Sequence, residues 1–168
     1  MKTLFIGRFQ PFHNGHLYVI KNNYEKVDTI LIGLGSSQYG NSLENPFNET
    51  ERKRMIDESL KYYNIKNFEI ISIPDIHNYP KWVDHVLSIT SDFDQVISNS
   101  QLTKHLFKQK NIPIKETTYF KRDKYSGSEI RRRIINDLEW ESLVPPPVVS
   151  IIKEIDGINR LKELANQK

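Results

Sequence analysis

Few folds can accommodate the stretch Gly7-Arg8-Phe9-Gln10-Pro11-Phe12-His13-Asn14-Gly15-His16. The apolar run Thr3-Leu4-Phe5-Ile6 before it reads as a buried strand, and Leu17-Tyr18-Val19-Ile20 after it starts a helical pattern. A strand, a glycine-bearing turn and a helix together present backbone N–H groups and a helix N-terminus to an anion. This turn adds a guanidinium, Arg8, and two imidazoles. His13 and His16 are three apart, so they share one side of the first helical turn. A phosphate held there meets amide, imidazole and guanidinium donors together. Glycine and proline are also ordinary turn residues, so a purely structural reading stands beside the phosphate site. A His-x-x-His metal site fits less well. The chain has no cysteine, and no acidic residue lies between the histidines as in a zinc-protease helix.

The pattern that follows alternates helix and strand. A helix is expected from about Asn14 to Glu25, with Leu17, Ile20 and Tyr24 facing the core. Asp28–Gly35 reads as a second buried strand, which closes a βαβ unit of right-handed crossover. No Gly-Lys-Ser/Thr follows Gly33-Leu34-Gly35, so a P-loop is excluded. The loop through Asn45-Pro46-Phe47 is long and polar, and either serves a site or is a surface excursion. Asn48 and Glu51 fit a capping box at the start of a helix carrying Met55, Ile56, Ser59, Leu60 and Tyr63 on one face. Arg52 sits in its first turn, where the helix dipole disfavours a cation. It is expected to pair with an acid or to face the site. Phe68–Asp75 reads as strand three, and residues 76–81 as its exit loop at the carboxyl end of the sheet, where open α/β folds bind ligands. Trp82 begins another helix, either as a core anchor or as a stacking platform for an aromatic base. A fourth strand over Asp94–Ser98, a helix marked by Leu102, Leu106 and Phe107, and a fifth strand near Lys115–Tyr119 complete the alternation. The expected class is α/β: a Rossmann-like, doubly wound parallel sheet with helices on both faces.

Tyr125-Ser126-Gly127-Ser128-Glu129-Ile130-Arg131-Arg132-Arg133 is the second informative stretch. Ser126 and Glu129 fit a capping box, and the helix start, two hydroxyls and Arg131 can meet a phosphate chain. The alternative is a capped helix with a solvated basic face. Successive arginines point about 100° apart on a helix, so they neither serve one site nor form a continuous patch for a nucleic-acid backbone. Arg131 is the one assigned to the ligand. After a short helical turn at Glu139–Leu143, stopped by Pro145-Pro146-Pro147, apolar stripes at Val148, Ile151, Ile152, Ile155 and at Ile158, Leu161, Leu164 predict a C-terminal helical tail broken at Gly157. One domain over 1–168 is expected, with a core over 1–136 and the helices of 137–168 packed on it or mediating oligomerisation.

Composition narrows the partners. No apolar run is long enough to cross a membrane, and the strand pattern begins at once, so neither a membrane anchor nor a signal peptide is expected. The absence of cysteine is compatible with a reducing cytoplasm. A net charge of +3 suits a phosphorylated small molecule. Charges of both signs run along the chain, unlike a nucleic-acid-binding tail.

The first stretch resembles the signature of the HxGH nucleotidylyltransferase superfamily, in the form used by archaeal nicotinamide-nucleotide adenylyltransferases. The resemblance spans nearly the whole chain through Gly35-Ser36-x-Gln38, Asn45-Pro46-Phe47 with Glu51-Arg52, Pro74-Asp75-Ile76, Trp82-Val83, Ser126–Arg131 and Leu143-Val144-Pro145. It implies synthesis of NAD and pyrophosphate from ATP and nicotinamide mononucleotide (NMN), by attack of the NMN phosphate on the α-phosphorus of ATP. Such a transfer needs alignment and charge neutralisation rather than a protein nucleophile. By resemblance, His13, His16, Arg8 and Arg131 are catalytic. Gly7, Phe9, Gly15, Ser126, Gly127 and Ser128 bind ATP. Asp75, the Ile76 backbone, Asn78 and Trp82 receive NMN, Trp82 by stacking. The implied cofactor is Mg²⁺, held mainly by ATP phosphates and water, with no protein ligand. The implied assembly is a homo-oligomer, a hexamer.

Three positions depart from the pattern. Glu44 replaces a basic residue before Asn-Pro-Phe, so that phosphate contact is lost or passes to another cation such as Arg52. Asn99-Ser100 stands for Gly-Asn, and Tyr79 stands where an asparagine is usual, which predicts rearranged contacts to the pyridine ring. Two alternatives accompany the adenylyltransferase reading. One is another nucleotidylyltransferase acting on phosphopantetheine, FMN or glycerol phosphate. The other is a non-catalytic nucleotide sensor or RNA-binding module on the same fold.

Overall fold

The computed structural model describes residues 1–118 and 121–167. Its centre is a parallel sheet of five strands: β1 (Lys2–Gly7), β2 (Thr29–Gly35), β3 (Phe68–Ile73), β4 (Gln95–Ile97) and β5 (Ile114–Lys115), in the order β3-β2-β1-β4-β5. Leu4 lies opposite Leu31 on one side and Val96 on the other. Residues 30–34 of β2 are buried throughout, as an apolar run covered on both faces requires. Strand order reverses beside β1. The crevice at the carboxyl end of β1 is therefore the switch point at which open sheets receive ligands.

Helices cover both faces. Helices α1 (Asn14–Lys21), α2 (Glu49–Tyr62), α5 (Gly127–Ile135), α6 (Pro146–Glu154) and α7 (Gly157–Asn166) pack over Ile30, Ile32 and Leu34. Helices α3 (Tyr79–Ile89) and α4 (Gln101–Lys108) cover Leu4, Leu31, Ile73 and Val96 on the other face. The tail folds back onto the sheet domain: α6 packs on α2, and α7 on α5 and α6. Arg160 of α7 donates from Nη1 to both Glu51 carboxylate oxygens at 2.8 Å and to the Pro46 carbonyl at 3.0 Å. The short turn ends at Leu143 just ahead of the prolines, as expected, and Pro146 and Pro147 also start α6, because the first turn of a helix needs no N–H from them.

Several boundaries differ from expectation, each for a local reason. The first helix ends at Lys21, because the Asn22 and Asn23 side-chain amides donate to the Tyr18 and Val19 carbonyls and a 3₁₀ turn follows at Tyr24–Lys26. β3 stops at Ile73, and Asp75 N–H donates instead to Gln38 Oε1 at 2.9 Å. α3 begins at Tyr79, three residues ahead of Trp82, because Asn78 caps it by accepting from Lys81 N–H, and Pro80 suits a first turn. β5 covers Ile114–Lys115; the end expected at Tyr119 lies outside the described residues. At α5, Ser126 Oγ accepts from Glu129 N–H at 3.2 Å, yet the expected return contact is absent. The Glu129 carboxylate turns to Arg132 and Arg133, whose hydrogen bonds hold its pKa down at about 2.

Arg52 satisfies neither expectation. It is fully buried, and its guanidinium donates to the backbone carbonyls of Asn48, Arg8, Gly35, Ser36, Ser37 and Tyr39. Burial lowers its pKa to about 10, so it stays charged at neutral pH. It ties the turn after β1 to the loop after β2 and cannot serve as the cation missing at Glu44.

Candidate active site

The turn after β1 folds into a reciprocal cap. His13 Nδ1 accepts from Gly15 N–H at 3.1 Å and His16 N–H at 3.4 Å, while His16 Nδ1 accepts from His13 N–H at 3.1 Å. With both Nδ1 atoms acting as acceptors, the hydrogen-bond pattern assigns the ring proton of each histidine to Nε2. The rings stack with centroids 3.6 Å apart, and Phe9 and Phe12 back His16. Burial pushes the His13 pKa down to about 3. Burial first, then the charge of His13, hold His16 well below the ordinary range. At neutral pH the pair therefore offers two Nε2–H donors and no net charge. Gly15 is required by this packing, since a Cβ there would lie 2.9 Å from the His13 ring.

The second stretch closes over the first. Arg131 Nη1 donates to the Gln10 carbonyl at 2.7 Å, across the start of α5. Burial, then the nearby Arg8 charge, lower the Arg131 pKa, while Glu44 opposes them. Gly127 makes room for this contact: a Cβ would lie 2.7 Å from Arg131 Nη1 and 3.0 Å from the Gln10 carbonyl oxygen. Gln10 in turn clamps Phe47, donating to its carbonyl at 2.8 Å and accepting from its N–H at 3.0 Å.

These groups line a cleft of about 370 Å³ that contains Gly7, Arg8, Phe9, His13, Gly15, His16, Ser126, Gly127, Ser128 and Arg131. Every residue expected at ATP or at the reacting phosphates is thus brought together. Phe9 lines the cleft although the residue is buried in the core. The far wall is formed by Ser98, Asn99, Ser100, Thr103, Thr117, Arg122 and Tyr125. Asn99-Ser100, expected to bear on the pyridine contacts, line this cleft and not the smaller one, and Ser98, Thr103, Thr117 and Arg122 were not expected from sequence. The Asn99-Ser100 departure is internally satisfied. Asn99 Oδ1 accepts from Thr117 N–H at 2.9 Å, and Ser100 Oγ caps α4 by accepting from Thr103 N–H.

A second cleft of about 200 Å³ opens on the other side of β1, between the ends of β2 and β3 and helices α3 and α4. Asp75, Asn78 and Trp82 line it with Tyr79, Leu102 and Leu106; Ile76 lines neither cleft and stands partly exposed. Asn78 spends its Oδ1 on the α3 cap. Trp82 packs as a core anchor, with its ring edge-on to Phe107 at 5.6 Å between centroids, and it also lines the cleft. Gln38 holds the exit loop of β3 by a paired hydrogen bond to the Asp75 backbone. Ile6, Gly7, Arg8 and Thr103 line both clefts, so the two meet at the end of β1. No carboxylate lines the larger cleft, and no group of three metal-ligating side chains gathers among the described residues. The donor set suits phosphates, and suits a metal ion only if phosphates carry it in.

Residues 4–133 match the family described as Cytidylyltransferase-like. The chain is 48% identical over 164 residues to a nicotinamide-nucleotide adenylyltransferase of Methanococcus aeolicus, covering 98% of this chain and 95% of the relative. It is 42% identical to one of Archaeoglobus fulgidus, over 99% of each. Among solved structures it superposes with a TM-score of 0.81 and 23% identity on a bifunctional NMN adenylyltransferase/ADP ribose pyrophosphatase of Francisella tularensis, complexed with AMP and a manganese ion. That match covers 99% of this chain and 53% of the other, so the chain spans about half of that protein.

Proposed function

The chain belongs to the cytidylyltransferase-like family, among the nicotinamide-nucleotide adenylyltransferases, and from that premise we propose how it transfers the adenylyl group of ATP to NMN. The observation that carries the reading is the meeting of two clefts at Gly7 and Arg8. ATP occupies the larger cleft, with its phosphates toward the starts of α1 and α5. NMN occupies the smaller one, with its ring toward Trp82 and Asp75 and its phosphate toward Arg8. An NMN phosphate oxygen then forms a bond to the α-phosphorus as the bond from that phosphorus to the α–β bridging oxygen breaks. Pyrophosphate departs with the electron pair, and NAD remains. No protein group bonds to phosphorus. The chain holds the two phosphates in line and offsets charge that develops on their oxygens. His13 and His16 donate from Nε2, Arg8 and Arg131 supply fixed positive charge, and Ser126, Ser128 and the amides of both helix starts complete the cradle.

A divalent cation, Mg²⁺ in this proposal, would be held by the ATP phosphates and would offset their charge. The protein's own part is the cationic and neutral donor set. Residues 137–168 belong to the same folding unit, on the support of the Arg160–Glu51 bridge. Assembly as a homo-oligomer, a hexamer by resemblance, is part of the proposal and is read by light scattering. So is a cytoplasmic location. Among the described residues no helix is long and apolar enough to cross a membrane.

The test is product analysis with ATP, Mg²⁺ and NMN. Parallel reactions contain nicotinic acid mononucleotide, phosphopantetheine, FMN, or glycerol phosphate with CTP. NAD is expected with NMN, and His16→Ala is expected to lower kcat about 10²–10³-fold, the cost of one transition-state donor. Product only from a different acceptor overturns the substrate assignment. ATP binding without turnover of any acceptor overturns the enzymatic one.

A further inference from the structure

Tyr79 is the residue of the smaller cleft that no role yet explains. The residue is 65% exposed although it lines the cleft, and its hydroxyl makes no hydrogen bond among the described residues. A large aromatic side chain left in solvent at the mouth of a formed pocket contributes little to folding. Tyr79 and Trp82 are three apart on α3 and therefore lie on one face of it. Leu102 and Leu106 of α4 form the facing apolar wall. The charged groups lining this cleft are Asp75 and, where it joins the larger cleft, Arg8. A planar ring entering past Tyr79 thus meets aromatic faces and a carboxylate, with the guanidinium left for the phosphate.

That combination reads charge. The nicotinamide ring of NMN is an N-substituted pyridinium and carries a formal positive charge, whereas its reduced form, a dihydropyridine, carries none. The two have nearly the same shape and the same hydrogen-bonding carboxamide. Aromatic faces attract a cation through the ring quadrupole and have no such attraction for a neutral ring. We propose that Tyr79 is a specificity-determining residue that, beside Trp82, selects the cationic pyridinium nucleotide over its reduced counterpart. The proposal rests on the reading of this cleft as the NMN site.

The experiment measures kcat/KM for NMN and for reduced NMN in the wild type, Tyr79→Phe and Tyr79→Leu. Phenylalanine keeps the quadrupole and loses the hydroxyl; leucine keeps apolar bulk and loses the quadrupole. The expected result is a wild-type preference for NMN that Tyr79→Phe retains. In Tyr79→Leu that preference falls about two- to fivefold, the size of a partly exposed cation–π contact, through the KM for NMN. Thermal unfolding checks that both variants fold, as substitution of an exposed ring allows. An active Tyr79→Leu enzyme with the wild-type preference ratio overturns the proposal. So does an equal fall in Phe and Leu, which would assign the effect to the hydroxyl. If the wild type makes no dinucleotide from either form, the adenylyltransferase reading fails and takes this proposal with it.

Discussion

At His13 and His16, burial has a consequence for stability that can be worked out in sign. Both pKa values are depressed, His13 to about 3, so the folded chain keeps both rings neutral in mild acid. The unfolded chain protonates them near the ordinary value of about 6.5. Between those values the unfolded state binds more protons, and stability falls as the pH falls, by up to about 1.4 kcal/mol per pH unit for each histidine. Glu129, held near 2, loses its contribution as the pH falls from about 4.5 toward 2, below the histidine window. Urea midpoints between pH 7 and pH 5 isolate the histidines, and the slope should shrink in His13→Asn. A pH-independent midpoint over that window would contradict the neutral, buried pair. Gly127 carries the other residue-level prediction. With 2.7 Å to Arg131 Nη1, an alanine Cβ must displace the guanidinium or the Gln10 carbonyl. Gly127→Ala should cost on the order of 10²-fold in kcat, the effect of a misplaced catalytic group, with little change in melting temperature.

Among the elements, the starts of α2 and α5 could be read in advance and their neighbours could not. Asn48 with Glu51, and Ser126, cap through partners three residues away, so a short window of sequence contains the whole interaction. The same locality explains why the first turn was readable: its two histidines cap each other. Arg52 is the opposite case. Its acceptors come from the turn after β1 and the loop after β2, up to 44 residues away, and no local pattern signals a cation that bonds only carbonyls. Gln38 and Gln10 are likewise remote clamps, each spanning 37 residues. The early start of α3 was hidden because Asn78 and Pro80 read equally well as loop residues. The wall at Asn99 and Thr117 forms only when β4 and β5 lie side by side. Because so many carbonyls converge on one guanidinium, Arg52→Met should lower stability by more than about 3 kcal/mol, several buried acceptors being left unpaired. Arg52→Lys should not restore it, since one ammonium cannot copy the planar fork. An unfolding free energy from chemical denaturation within about 1 kcal/mol of wild type for either variant would contradict this role.

For the molecule as a whole, the sheet order decides where chemistry happens. β1 is central, the chain winds away from it in both directions, and one cleft lies on each side of its end. In the proposed arrangement the donor and acceptor nucleotides take separate clefts and approach each other where Ile6, Gly7, Arg8 and Thr103 line both. Once joined, however, they leave as one piece. NAD is both occupants welded together, and each half raises the local concentration of the other at its own cleft. On that proposal the dinucleotide is expected to leave more slowly than pyrophosphate, so that its release rather than bond-making sets the pace of turnover. Rapid mixing should reveal a first round of NAD formation faster than the steady rate, and NAD should inhibit against ATP and NMN alike. A linear time course from the first turnover would place the slow step back at phosphorus.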